Sequence, residues 1–160
     1  MIRTATLSNC GRYRYDLGRR WGSGGDLCFV MLNPSTADAV KDDPTIRRCI
    51  GFATRGDFGG IVVVNLYAWR TPDPDELHRV VDPVGPQNVE AVRTAIRNCD
   101  LVVAAWGASL LPKRPTPIFE VLDTCAKPVT CLGYTKSGAP RHPLYVHGDT
   151  KLEPWPRRSE

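Results

Sequence analysis

The sequence predicts an α/β fold: a three-layer sandwich whose central, mainly parallel four-stranded sheet is flanked by helices. Three observations point there. Four short runs are apolar from end to end, which suits strands covered on both faces. Segments with apolar residues at helical spacing lie between them, the pattern of a doubly wound layer. Fourteen prolines and fourteen glycines fall mostly between these runs, as punctuation. With 160 residues and no internal repeat, low-complexity tract or linker, the chain reads as one domain, 1–160, long enough to bury a full core.

Taken in order, "YRYDL" with its Gly and Arg flanks predicts a short N-terminal strand or hairpin. The buried strands are "LCFVML" (27–32), "IVVVNLY" (61–67), "LVVAAW" (101–106) and "PVTCLG" (128–133), all apolar and often β-branched. The first helix is "DPTIRRCIGFATR", with Asp43 as N-cap and Pro44 at the first helical position. "GPQNVEAVRTAIRNC" and "PTPIFEVLDTC" carry apolar residues at helical spacing and supply two more.

Composition narrows the class. Hydrophobic residues at 42% and charged ones at 24% are those of a globular protein, and no run approaches the roughly 18–20 apolar residues of a membrane span. The opening "MIRTATLSNC" lacks the apolar core of a secretion signal, so a cytoplasmic protein without a membrane partner is expected. The six cysteines contain no C-x-x-C spacing, and several sit within apolar patterns. They read as buried thiols, and neither a metal nor a cofactor is expected. A net charge of +4 does not identify a nucleic-acid binder. Arginines are nevertheless clustered: Arg12, Arg14, Arg19 and Arg20, then Arg47 and Arg48, then Arg157 and Arg158. Such clusters suit phosphate contacts and solvated surfaces alike.

In an open parallel sheet, ligands bind beyond the carboxyl ends of the strands. Asn33-Pro34 follows the first strand, Asn65 ends the second, Trp106-Gly107 ends the third, and the loop bearing His142 follows the fourth. The unusual polar features therefore fall on one rim. In "MLNPSTAD", Pro34 restricts Asn33 to extended geometry, from which its carboxamide could position a water. An Asn-Pro turn, with Ser35 and Thr36 capping a helix, is the plainer alternative. Asn65 must satisfy a buried amide, either on loop backbone or on the donor–acceptor edge of a planar ligand such as a nucleobase. "TKSGAPRHPLYV" supplies Lys136, Arg141 and a His142 locked by Pro143. A neutral imidazole there could donate to an oxygen gaining negative charge, or simply occupy a surface turn. Tyr67, Trp69 and Arg70 could stack on a base or pack beneath "TPDPDEL"; Asp42, Asp43, Thr45, Arg47 and Arg48 could form a polar cluster or a capped, solvated helix.

These segments resemble, in order and character, the uracil-DNA glycosylase superfamily over residues 26 to 146: "LNPS" at the first strand end, Asn65 at the second, "AAWG" at the third and "RHPL" in the late loop. The strings "MLNPSTAD", "DDPTIRRC", "DPVGP" and "RHPLYV" are more closely similar to the domain of unknown function 1643 family, whose activity is not settled. The glycosylase resemblance implies a fold of that type and roles for individual residues. Asn33 and His142 would be catalytic, one holding the attacking water and the other stabilising the leaving base. Asn65 would read the base, with Leu32 beside it and Phe52 or Tyr67 as an aromatic platform. Ser35, Thr36, Arg47, Arg48, Lys136 and Arg141 would contact phosphates. The sequence departs from the pattern in having Asn rather than Asp at position 33, and only Leu144 or Tyr145 as an apolar wedge after His-Pro.

The expected function is hydrolysis of the N-glycosidic bond of a base, modified or not, in DNA, by a monomer that needs no metal. Two alternatives share the rim: a non-catalytic module binding nucleic acid or nucleotide, and a hydrolase or transferase of free nucleosides or nucleotides. A pure binder has no use for the Asn33/His142 pair.

Overall fold

The computed structural model describes residues 1–156; Arg157 and Arg158 lie outside them. Its strands are β1 (Ile2–Leu7), β2 (Arg14–Arg20), β3 (Asp26–Met31), β4 (Gly60–Asn65), β5 (Leu101–Ala104), β6 (Val129–Cys131) and β7 (Glu153–Pro154). The helices are α1 (Pro44–Arg55), α2 (Asn88–Asn98) and α3 (Thr116–Thr124). Short 3-10 turns cover Pro74–His78 and Pro143–Tyr145.

The sheet is seven-stranded and mixed, in the order β1-β2-β4-β3-β5-β6-β7, rather than four-stranded. The four predicted strands form its parallel centre: Leu27 stands opposite Ile61 on one side and Leu101 on the other. The hairpin β1–β2 adds antiparallel through β2 to β4, and β7 adds antiparallel to β6. The mostly exposed residues of β1 and β7 carry no core periodicity, and β2 is half arginine and polar, so hydrophobic pattern did not count these strands into the sheet.

Alternation along β3 explains the three layers. Leu27, Phe29 and Met31 pack with Ile46, Cys49 and Phe52 of α1 on one face. Cys28 and Val30 pack with Val92 and Ile96 of α2 and Ile118 and Val121 of α3 on the other. A strand buried on both faces must be apolar at every position, which is why it reads as a continuous run. Phe29 is wholly buried; truncating such a residue to alanine costs roughly 3–5 kcal/mol.

α1 begins as its sequence dictates: the Asp43 carboxylate accepts from the Ile46 N–H at 2.9 Å, and Pro44 sits where no N–H is required. Each central strand leaves the ladder before its apolar run ends. Leu32, Leu66, Tyr67, Ala105 and Trp106 are buried beyond the last paired residues. These overhangs build the floor of the rim. With β4 and β5 on opposite sides of β3, the connections out of the sheet diverge there and leave a crevice.

Candidate functional site

The crevice is a cleft of about 620 Å³, walled by the loops after β3, β4, β5 and β6 and by the start of α1. Two other grooves have similar volumes, about 610 Å³ between α2 and α3 and about 620 Å³ along α2 and β2. Neither is lined by a buried polar side-chain atom that lacks a partner. The cleft is lined by two residues that have such atoms, Arg14 and Asn65.

Asn65, at the end of β4, is 1% exposed, and both its Nδ2 and its Oδ1 are without a hydrogen bond. Its backbone carbonyl is held by Asn88 Nδ2 at 2.9 Å, which fixes the strand end and leaves the side chain uncommitted. A buried amide in this state costs on the order of 1–3 kcal/mol for each unmade bond. What it offers is one donor and one acceptor side by side.

Asn33 is anchored by the opposite half of its amide. Nδ2 donates to the carbonyls of Pro34 at 3.0 Å and Thr71 at 2.9 Å. Both neighbours being carbonyls, only the NH₂ end can face them, so Oδ1 is presented as an acceptor. Thr71 is steadied in turn: its N–H donates to the Pro34 carbonyl at 3.0 Å and its hydroxyl to Glu76 Oε2 at 2.8 Å. Trp69 Nε1 donates to Glu76 Oε1 at 3.0 Å. These two bonds, Trp69 first and Thr71 second, hold the Glu76 carboxyl below its usual range.

His142 is half-buried, and its Nδ1 accepts the Leu144 N–H at 3.1 Å. A nitrogen that accepts has no proton, so the neutral ring carries its proton on Nε2. Burial pulls the imidazole below its ordinary value of 6.5, with Asp43 acting in the other direction. The loop is pinned from two sides. The Gly107 N–H donates to Pro140 O at 2.9 Å, and Gly107 adopts φ +77°, a backbone that favours glycine. Arg48 of α1 donates through Nε to Pro143 O at 3.0 Å and through Nη2 to Val146 O.

A family model described as "Protein of unknown function (DUF1643)" matches residues 14–144. The chain belongs to the DUF1643 family. No curated protein and no solved structure matches it.

In this DUF1643 chain the cleft brings together Leu32, Asn33, Ser35, Asn65, Arg141 and His142 of the residues singled out from the sequence. Six others stand off its walls. Phe52 is in the α1 core, with Arg48 and Arg55 over its ring at 6.0 and 5.1 Å, so it is not a free stacking platform. Tyr67 is wholly buried in the opposite core; its hydroxyl donates to Lys113 O, and burial pushes it up to about 12. Arg48 clamps the histidine loop, and Arg47, Thr36 and Lys136 are exposed outside the cleft. Asp43 and Thr45 do line it, whereas Asp42 pairs with Arg19 at 2.7 Å. Trp69 packs on Tyr13 at 5.5 Å and bonds Glu76, beneath the "TPDPDEL" segment.

Sequence reasoning missed Thr71, Glu76 and the depth of Arg14. No local signal marks them: Thr71 and Arg14 matter through Asn33 and Ala37, distant in the chain, and Glu76 through Thr71. Arg14 was legible only as one of a cluster of arginines. Burial draws it down to about 10 while Asp43 opposes, so it remains a cation at neutral pH.

Proposed function

We propose that the cleft is a nucleobase site, and that the protein hydrolyses the N-glycosidic bond between a base, modified or not, and deoxyribose in DNA. The observation that carries this is the Asn65 amide: a donor and an acceptor, both buried and unpartnered, in a cleft with Asn33 and His142. A nucleobase edge offers the complementary pair. The order of "LNPS", "AAWG" and "RHPL", which resembles the uracil-DNA glycosylase superfamily, supports the same reading.

The steps follow from the side chains. Asn33 Oδ1 accepts a hydrogen bond from a water and so aims the water's lone pair at C1′ of the sugar. The C1′–N bond breaks with its electron pair left on the base. His142 Nε2–H donates a hydrogen bond to the base oxygen that gains charge, without transferring its proton. The water oxygen bonds to C1′, and the proton it releases ends on the departing base. An asparagine is no general base, so the reaction is suited to a base that leaves easily. In duplex DNA the base must be turned out of the stack; Leu144 and Tyr145, 39% and 78% exposed on the cleft wall, are placed to fill the gap.

The test uses DNA carrying assorted uncommon bases, with alkali-labile abasic sites as the readout. Wild type should cleave at some base, and Asn33→Ala and His142→Ala should lose most of that activity. Unaltered cleavage in both variants overturns the mechanism. Binding of DNA by all three proteins without cleavage would favour a binding module. Cleavage of free nucleosides alone would favour a nucleoside hydrolase.

A further inference from the structure

Two arginines of β2 are buried, in opposite states. Arg19, 1% exposed, has its guanidinium fully engaged. Nε donates to Asp42 Oδ1 at 2.7 Å, Nη1 to the carbonyls of Gly18 and Thr4, and Nη2 to those of Asp38 and Lys41. It pins the 38–42 loop. The guanidinium of Arg14, 2% exposed, makes one hydrogen bond among the described residues, from Nη1 to Ala37 O at 2.8 Å. Its Nε is buried without a partner, and no carboxylate among the described residues forms an ion pair with it. Asp43, on the same cleft, offsets part of the burial of Arg14 from a distance but makes no ion pair with it; its Oδ1 caps α1, accepting from Ile46 N at 2.9 Å.

Buried charges in folded proteins are paired, because an isolated one forfeits its hydration with nothing in return. Arg14 has no such contact among the described residues: no carboxylate pairs with its guanidinium and its Nε is unpartnered. The geometry of what is missing is specified. With Nη1 tied to Ala37, the donors left are Nε and Nη2, the edge of the guanidinium that meets two oxygens of one oxyanion side-on.

We propose that Arg14 is the phosphate receptor of this cleft, binding a phosphate of the ligand through Nε and Nη2 while Asn65 reads its ring. The ring depends on the function proposed above; the phosphate does not. It belongs either to a free nucleotide or to the phosphodiester of a strand, and in both cases the recognising chemistry is the same.

The test is titration calorimetry on the full chain with four probes: inorganic phosphate, the deoxynucleosides, their 5′-monophosphates, and dinucleotides containing one phosphodiester. Wild type should bind a phosphate-bearing probe at least about tenfold more tightly than the nucleoside, the scale of a bidentate charged hydrogen bond. Inorganic phosphate should compete. Arg14→Gln should erase the preference, and Arg14→Lys, a charge without the fork, should restore only part of it. Tighter binding of the monophosphate assigns the group to a free nucleotide, and tighter binding of the dinucleotide to a strand. No preference for phosphate in wild type, or a preference that survives Arg14→Gln, overturns the proposal. Should Arg14→Gln not fold, the wild-type melting temperature decides: inorganic phosphate must raise it, and no shift overturns the proposal. Asn65→Leu separates the two readings. It should lose the nucleosides and keep inorganic phosphate, so failure at the ring and failure at the anion are read independently.

Discussion

Replacing Asn65 by leucine should stabilise the folded protein while removing its recognition of ligand. The reasoning rests on two atoms. Asn65 Nδ2 and Oδ1 are buried in a side chain 1% exposed, and neither has a partner. Each unmade bond costs on the order of 1–3 kcal/mol, and a leucine of similar branching has no polar atom to leave unpaired. Part of that gain is lost in fitting the larger side chain against Val63 and Met31, its neighbours on the cleft wall. The net expectation is about 1–3 kcal/mol. At roughly 2–4 °C per kcal/mol for a domain of this size, the melting temperature rises by roughly 2–12 °C. Urea unfolding followed by tryptophan fluorescence gives the free energy independently. Asn88→Leu is the control of opposite sign, because Asn88 Nδ2 holds the carbonyls of Asn65 at 2.9 Å and Leu66 at 3.2 Å. An Asn65→Leu protein that unfolds about 1 kcal/mol more easily than wild type would refute the reasoning. The amide would then be engaged within the native fold, and the cleft would have no built-in demand for a ligand.

Three further expectations follow from the same geometry. Arg48→Met removes two bonds that tie α1 to the histidine loop, at a cost of about 2 kcal/mol in urea unfolding. If His142 acts on the base, base release should slow while ligand affinity holds, although Arg48 lines no part of the cleft. Because burial depresses the His142 imidazole, the native state takes up its proton less readily than the unfolded chain does. Its contribution is therefore complete above pH 6.5 and is lost as pH falls from there through the lower folded value. Urea midpoints measured from pH 7.5 to 5 should show this acid loss in wild type and a smaller one in His142→Gln. Tyr67→Phe should cost about 1 kcal/mol in urea unfolding, for the hydroxyl bond to Lys113 O, and leave ligand affinity unchanged.

The central strands and all three helices were legible because burial leaves a local trace. Each residue between Leu27 and Met31 is apolar since the strand is covered on both faces, and Asp43-Pro44 starts α1 through contacts within one turn. The rim placement of Asn33, Asn65 and His142 followed from strand order alone. The N-terminal hairpin was legible in "YRYDL", but its place in the sheet and β7 were not, because those pairings are made by backbone bonds, to which side-chain pattern is indifferent. Phe52 and Tyr67 were misjudged as base contacts for a related reason. An aromatic side chain is equally at home in a core or against a ligand, and only the packing of helix on sheet chooses.

What the sequence by itself determined is the set of elements and the edge of the sheet at which polar groups gather. The tertiary structure decided which polar groups are satisfied. Arg14 and Arg19 lie five residues apart on one strand, yet Arg19 is saturated by the 38–42 loop and Arg14 is left with a single bond. Arg48 finds its acceptors 95 and 98 residues away. Periodicity is a property of neighbours in the chain; hydrogen-bond partnership is a property of neighbours in space, and it exists only once the segments have met.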